Sequence, residues 1–283
     1  MMLERPSCDG GACVHPTATR LLRRERDVVL LLHGSAGSSA MWRRLQEKLA
    51  PVYEAVAPDL IGYGRAEPWH DPGGPTLDDE ARRVEDAIPC CDGDFHVVGY
   101  SYGGAVALSL ALRNPRRVKS LTLIEPVIFG ALKRWGDDES LAILENLRAR
   151  FAAGIRERGD TRAAMETFLE FWTGPGAWSR MPEKHRESAL LSASKVLHDW
   201  NAAFAFDPAP RQLASIATQT LLVRGDRSPQ PMIRLVDALH HLLPGSRMSV
   251  VPGAGHLLPI THERALLEAL IAAFLGAQER SLR

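Results

Sequence analysis

The chain has 283 residues and a mass of 31.1 kDa, enough for one large α/β domain, or a core with a small second unit, at roughly 100–200 residues per domain. Hydrophobic residues make up 45% and charged residues 24%, proportions that exclude intrinsic disorder and a fibrous repeat. Lys+Arg 34 balances Asp+Glu 34, so no global field draws the chain to nucleic acid or to an anionic membrane, and neither is expected as a partner.

Residues 1–26 carry Pro, Gly and a basic cluster from Arg20 to Arg26 without a clear period, leaving room for one or two short edge strands. Met1 to Pro6 has no apolar stretch of the secretory kind, and no apolar run approaches ~18 residues, so a cytoplasmic location is expected. Cys8, Cys13, Cys90 and Cys91 fit neither paired zinc spacing nor a disulfide scaffold and read as free thiols. The adjacent pair Cys90-Cys91 has no basic neighbour to lower a thiol pKa and reads as loop.

From Asp27 the pattern sharpens. Val28-Val29-Leu30-Leu31-Leu32, ended by Gly34, reads as a strand buried on both faces. A helix over 38–50, a strand over 53–57 and a helix over 76–88 follow, the last opened by the capping box of Thr76 and Asp79. Residues 95–99 read as strand, 102–113 as a helix closed by Asn114-Pro115, and 118–124 as strand. The alternation stops at Pro126 and resumes with a strand over 220–224, a helix over 231–243, a strand over 247–251 and a final helix from 261. Such alternation implies right-handed crossovers and a mainly parallel sheet. Residues 127–207 show only helical runs, broken by Gly154, Gly159, Gly174-Pro175-Gly176 and Pro182, and hold more than half of the aromatic side chains. These aromatics serve the segment's own core or face a ligand cleft. The division expected is a core of residues 1–126 and 208–283 with a helical insertion at 127–207.

Gly99-Tyr100-Ser101-Tyr102-Gly103 lies between an apolar strand and a helix. In the pattern G-x-S-x-G, small flanking residues permit a sharp strand-to-helix turn that exposes the serine hydroxyl at the helix N-terminus. In this setting the chain resembles the α/β-hydrolase fold family from about Asp27 to its C-terminus. Four segments match in order. His33-Gly34-Ser35 resembles the family's oxyanion loop, 57–64 (Ala-Pro-Asp-Leu-Ile-Gly-Tyr-Gly) its loop after the next strand, the Ser101 turn its nucleophile elbow, and Gly253-Ala254-Gly255-His256 its histidine loop. The resemblance implies an α/β core whose helical insertion is a cap.

It also implies roles. A serine hydroxyl is a weak nucleophile until an imidazole removes its proton, and His256 is the candidate base for Ser101. His33 before its glycine turn and His96 within a buried strand read as structural, and the remaining histidines lie outside any matching motif. The backbone N–H groups of Tyr102 and Ser35 are assigned to the oxyanion hole. Asp59 is expected to shape its own turn. No metal-ligand spacing such as H-E-x-x-H occurs, and neither metal nor cofactor is expected.

The triad acid departs from the commonest pattern of the family, G-x-x-D after the strand over 220–224, because that aspartate position is Ser228. Two carboxylates remain. Asp226 lies two residues early, a displacement of about 6–7 Å along an extended chain. Glu125 ends the strand next to the nucleophile strand, 24 residues after Ser101, as in some haloalkane dehalogenases. Glu125 is the assigned acid, with Asp226, or an ion pair of Glu125 at the cap entrance, as alternatives.

Serine instead of aspartate at the elbow disfavours dehalogenase and epoxide hydrolase chemistry. The expected activity is acyl transfer on a small to medium, largely uncharged carboxylic ester held between cap and core, with loss of activity on the acid side where the base is protonated. Carbon–carbon bond hydrolysis, lactonase and perhydrolase chemistry on the same scaffold are alternatives, and a non-catalytic ligand-binding protein of this fold is the alternative of a different class.

Overall fold

The computed structural model describes residues 26–88, 94–156 and 160–281. Any edge strand within 1–25, all four cysteines and the break at Gly159 lie outside the described residues.

Six strands form one sheet among the described residues: β1 (Val28–Leu32), β2 (Glu54–Val56), β3 (Phe95–Tyr100), β4 (Val118–Ile124), β5 (Gln219–Gly225) and β6 (Arg247–Val251), in the order β2-β1-β3-β4-β5-β6. Every neighbouring pair runs parallel. Alternate side chains feed opposite layers, as the two-residue period of a strand requires. Leu30 and Leu32 join the core on one face, and Val29 and Leu31 the core on the other. The same split separates Val97 from Val98, and Leu222 from Leu221 and Val223. Each such leucine or valine contributes about 1.5–3 kcal/mol on burial, which explains why these strands read as continuous apolar runs.

Helices α1 (Arg43–Leu49) and α13 (Glu263–Ser281) cover the second face, while α2 (Leu77–Glu85), α3 (Tyr102–Arg113) and α11 (Gln230–Leu242) cover the first. The chain goes from β1 outward to β2, then crosses back to β3 and continues the other way. Right-handed crossovers place the helices before and after that reversal on opposite faces, and leave a crevice beyond the C-terminal ends of β1 and β3. That crevice is where Gly34-Ser35 and Ser101 emerge.

Between β4 and β5 the chain is helical: α4 (Gly130–Trp135), α5 (Asp138–Arg156), α6 (Thr161–Thr173), α7 (Ala177–Arg180), α8 (Glu183–Leu191), α9 (Ala193–Ala205) and α10 (Pro210–Ala214). Its apolar side chains, Phe129, Phe168, Trp172 and Trp200 among them, continue the first-face core without a boundary. The helical run thus extends past 207 to Ala214.

Three expectations need correction. Within 38–50 a 3₁₀ turn, Ser39–Trp42, precedes α1, and Ser38 makes no capping hydrogen bond through its side chain. The final helix, expected from 261, starts at Glu263 (α13), and a separate short turn, α12 (Leu258–Thr261), precedes it. Gly154 does not break a helix: it lies inside α5, where a Cβ would stand 2.8 Å from Ala164 Cβ on α6, so glycine serves close helix packing. No helix among the described residues is long and apolar enough to cross a membrane.

Candidate functional site

Ser101 closes β3 and opens α3 with φ 54 and ψ −118, a conformation that non-glycine residues rarely adopt. Its backbone is pinned on both sides, its N–H donating to Ile124 O at 2.9 Å and its carbonyl accepting from Val127 N–H at 3.2 Å. The glycines of the motif answer to contact. A Cβ at Gly103 would stand 2.4 Å from His33 O, and one at Gly34 would stand 3.0 Å from Ser101 Cβ. The loop after β1 therefore passes directly across the serine.

The imidazole of His256 reaches this serine from the loop after β6. His256 Nε2 and Ser101 Oγ are 3.1 Å apart, and His256 Nδ1 stands 2.6 Å from Glu125 Oε2. A carboxylate can only accept, so Nδ1 carries the proton and Nε2 is free to accept from the serine hydroxyl. Glu125 sits at the end of β4 with φ 45, and its side chain is 0% exposed. Burial alone would raise its pKa, but hydrogen bonds and charge from His256, with Ser228 Oγ (2.5 Å) and Gly225 N–H (2.7 Å) on the other oxygen, hold it below the usual carboxylate value. The group is thus an ionised acceptor locked in one orientation.

Of the sequence-derived candidates, Ser101, His256 and Glu125 are brought together, and Ser35 and Tyr102 line the same cavity. Asp226 is not part of this set: its Oδ1 accepts from Gly253 N–H at 2.7 Å, bracing the turn that leads to His256. Asp59 accepts from Ser39 N–H at 2.7 Å and Arg65 N–H at 2.9 Å, shaping its loop. His33 accepts from Leu60 N–H at 3.0 Å and its other nitrogen lies 2.8 Å from Gly34 O, tying two loops together, and burial pushes its pKa down.

Two participants were not legible from sequence. Ser228 occupies the position where the family's commonest pattern has an aspartate, and donates to the glutamate instead. Trp172 lays its ring against the imidazole at 4.5 Å between centroids. With Phe168, Leu169, Trp200 and Val127 it encloses a cavity of ≈ 60 Å³ above Ser101. A groove of ≈ 910 Å³ adjoins it, sharing Ser35, Tyr100, Leu169, Thr173 and Leu257 and running out between the 34–41 loop and α7–α8. The aromatics of the helical segment thus serve both uses: Phe129 and Phe204 pack against each other with tilted rings, while Phe168, Trp172 and Trp200 face the cavity.

Comparison with known proteins bears on the family and the fold. The model of the alpha/beta hydrolase fold matches residues 27–263. A pimeloyl-[acyl-carrier protein] methyl ester esterase of Edwardsiella ictaluri is 28% identical over 254 residues, 87% of this chain and 92% of that protein. The polyketide synthase ThaQ of Burkholderia thailandensis is 27% identical over 89% of this chain, which spans only 12% of that protein's length. Among solved structures, a thermophilic esterase from Thermogutta terrifontis superposes with a TM-score of 0.69 at 21% identity, covering 89% of this chain and 90% of that one.

Proposed function

The chain belongs to the alpha/beta hydrolase fold family, and from that premise we propose that it is a serine hydrolase acting by acyl transfer on small to medium, largely uncharged carboxylic esters. The observation that carries the reading is the continuous hydrogen-bonded line from Ser101 through His256 to Glu125 beneath an aromatic cavity. Ser101 Oγ attacks the ester carbonyl carbon as its proton passes to His256 Nε2. Glu125, ionised, steadies the imidazolium through Nδ1–H. The carbonyl oxygen becomes an oxyanion facing the N–H of Tyr102, which as the first residue of α3 has no intrahelical acceptor, and the N–H of Ser35. The alkoxide leaves with the proton from His256, and water repeats the sequence to release the acid.

In this reading residues 127–207 act as a cap over a core built from 1–126 and 208–283. The small inner cavity takes one short arm of the ester, and the groove takes the other. Hydrolysis of p-nitrophenyl acetate by purified protein tests the proposal: release of p-nitrophenol that disappears in Ser101→Ala is expected. A wild-type protein inert toward every short ester, or activity that survives in Ser101→Ala, would overturn it.

A further inference from the structure

Away from the Ser101–His256–Glu125 line the chain buries a second set of charges. Lys195 and Asp199 stand one turn apart on α9, and Lys195 Nζ donates to Asp199 Oδ1 and, at 2.8 Å, to Glu80 Oε1 on α2. Asp199 Oδ2 accepts from Tyr63 OH at 2.6 Å and from Ser35 Oγ at 2.5 Å. Glu80 accepts from Ile61 N–H at 3.0 Å and lies 3.5 Å from Tyr102 OH. The ammonium is 4.8 Å from the ring centroids of both Tyr63 and Tyr102. Both carboxylates are almost fully buried.

Stability is a poor explanation for such a cluster. Desolvating each ion costs several kcal/mol, and well-packed apolar side chains commonly do as well. Its placement is more telling. The hydroxyls it engages are those of Tyr63, Ser35 and Tyr102, and the last two belong to the residues whose N–H groups are assigned to the oxyanion. Ser35 lies in a loop whose next residue, Ala36, has φ 56. That loop is held on one side by His33 at the Gly34 carbonyl and on the other by Asp199 at the Ser35 hydroxyl.

We propose that Asp199, Lys195 and Glu80 form a positioning device for the oxyanion hole, which fixes the Ser35 N–H through the Ser35 hydroxyl only while α9 is packed onto the core. The proposal rests on the serine hydrolase reading. Asp199 and Lys195 come from the helical segment and Glu80 from the core, so displacement of α9 releases Ser35 without touching Ser101, His256 or Glu125.

The experiment compares wild type, Ser35→Ala, Ser35→Thr and Asp199→Asn in two measurements, with thermal unfolding as the check on folding. One is kcat and KM on p-nitrophenyl acetate. The other is the affinity for phenylboronic acid, whose boron forms a bond to Ser101 Oγ as the serine proton moves to His256, giving a tetrahedral adduct with an oxygen in the oxyanion position. Ser35→Ala and Asp199→Asn are expected to lose about tenfold or more in both kcat and boronate affinity, with KM within about twofold of wild type, because only the transition state and its analogue use the hole. Ser35→Thr, which keeps the hydroxyl, is expected to stay near wild type.

Folded Ser35→Ala with wild-type kcat and boronate affinity would overturn the proposal, and so would a loss confined to KM. Ser35→Ala leaves every charge in place, so it decides even if Asp199→Asn does not fold. A wild type that binds boronate but cleaves no ester, with the drop still seen in Ser35→Ala, would sink the hydrolase reading and keep the positioning role. A wild type that does neither sinks both.

Discussion

Glu125 and Ser101 are two of the few non-glycine residues at positive φ among those described, and both lie where strands end and the site begins. Left-handed backbone at such residues costs about 1–3 kcal/mol each, and it persists because the surrounding hydrogen bonds leave no alternative. For Glu125 those bonds come from Gly225, Ser228 and His256. Glu125→Gln keeps the shape but removes the charge and offers Nδ1 a competing donor, so kcat should fall by roughly 10³–10⁴, whereas Asp226→Asn, which touches only the turn at Gly253, should leave kcat within about twofold. Steady-state kinetics on both variants checks this, and the reverse pattern would move the acid to Asp226. Ser228→Ala removes a bond to a buried charge worth about 1.5–3 kcal/mol, and a kcat loss of about tenfold is expected. Glu125 was favoured over Asp226 in the sequence by the strand order together with a resemblance to the spacing in some haloalkane dehalogenases. The support from Ser228 was not, because a serine reads as the absence of an acid until the side chain facing it is known.

At the scale of elements, α3, β4 and β6 begin and end where the sequence places them. A sharp turn at the motif serine, an Asn-Pro stop and continuous apolar runs are local signals, and they survive folding intact. Gly154 was misleading because its role is a contact with α6, and packing partners are not written in the local pattern. The Ser35–Asp199 bond, 164 positions apart, was invisible for the same reason. His96 on β3 shows what a buried strand does to a titratable group. It bonds Ser120 Oγ at 2.7 Å, its Nε2 finds no hydrogen-bond partner, and burial pushes its pKa down to about 4 despite Asp27 at 3.7 Å. The folded chain keeps this imidazole neutral while the unfolded chain takes up a proton below about 6.5, so the unfolded state binds more protons and stability falls as pH drops from about 6.5 to about 4. The loss is on the order of 3 kcal/mol, and His96→Gln should flatten the slope in that window in urea titrations run at several pH values. A slope unchanged by the substitution would place the acid sensitivity elsewhere.

For the molecule as a whole, the contrast between an inner cavity of ≈ 60 Å³ and a groove of ≈ 910 Å³ carries a prediction about chain length on the ester hydrolase reading proposed above. If one arm of the ester enters the inner cavity, Trp172, Trp200 and Phe168 limit its length, so hydrolysis across p-nitrophenyl acetate, butyrate and decanoate should fall steeply with chain length. Trp172→Ala should shift the optimum to longer chains, at a cost in stability of about 3–5 kcal/mol for a large aromatic lost from a packed core. A preference for emulsified long-chain lipid over these soluble esters would contradict the small inner cavity. The parallel sheet has a further consequence, in time instead of space. Ser101 and His256 are 155 positions apart and Glu125 and His256 are 131 apart, and β6, which carries His256 to them, is the last strand of the sheet. Closing loops of that length is slow, so during refolding the two central strands can pair well before the imidazole arrives. Ester hydrolysis should therefore return only with the slowest refolding phase, after most of the far-ultraviolet circular dichroism has recovered, and the active site would be the last part of the molecule to exist.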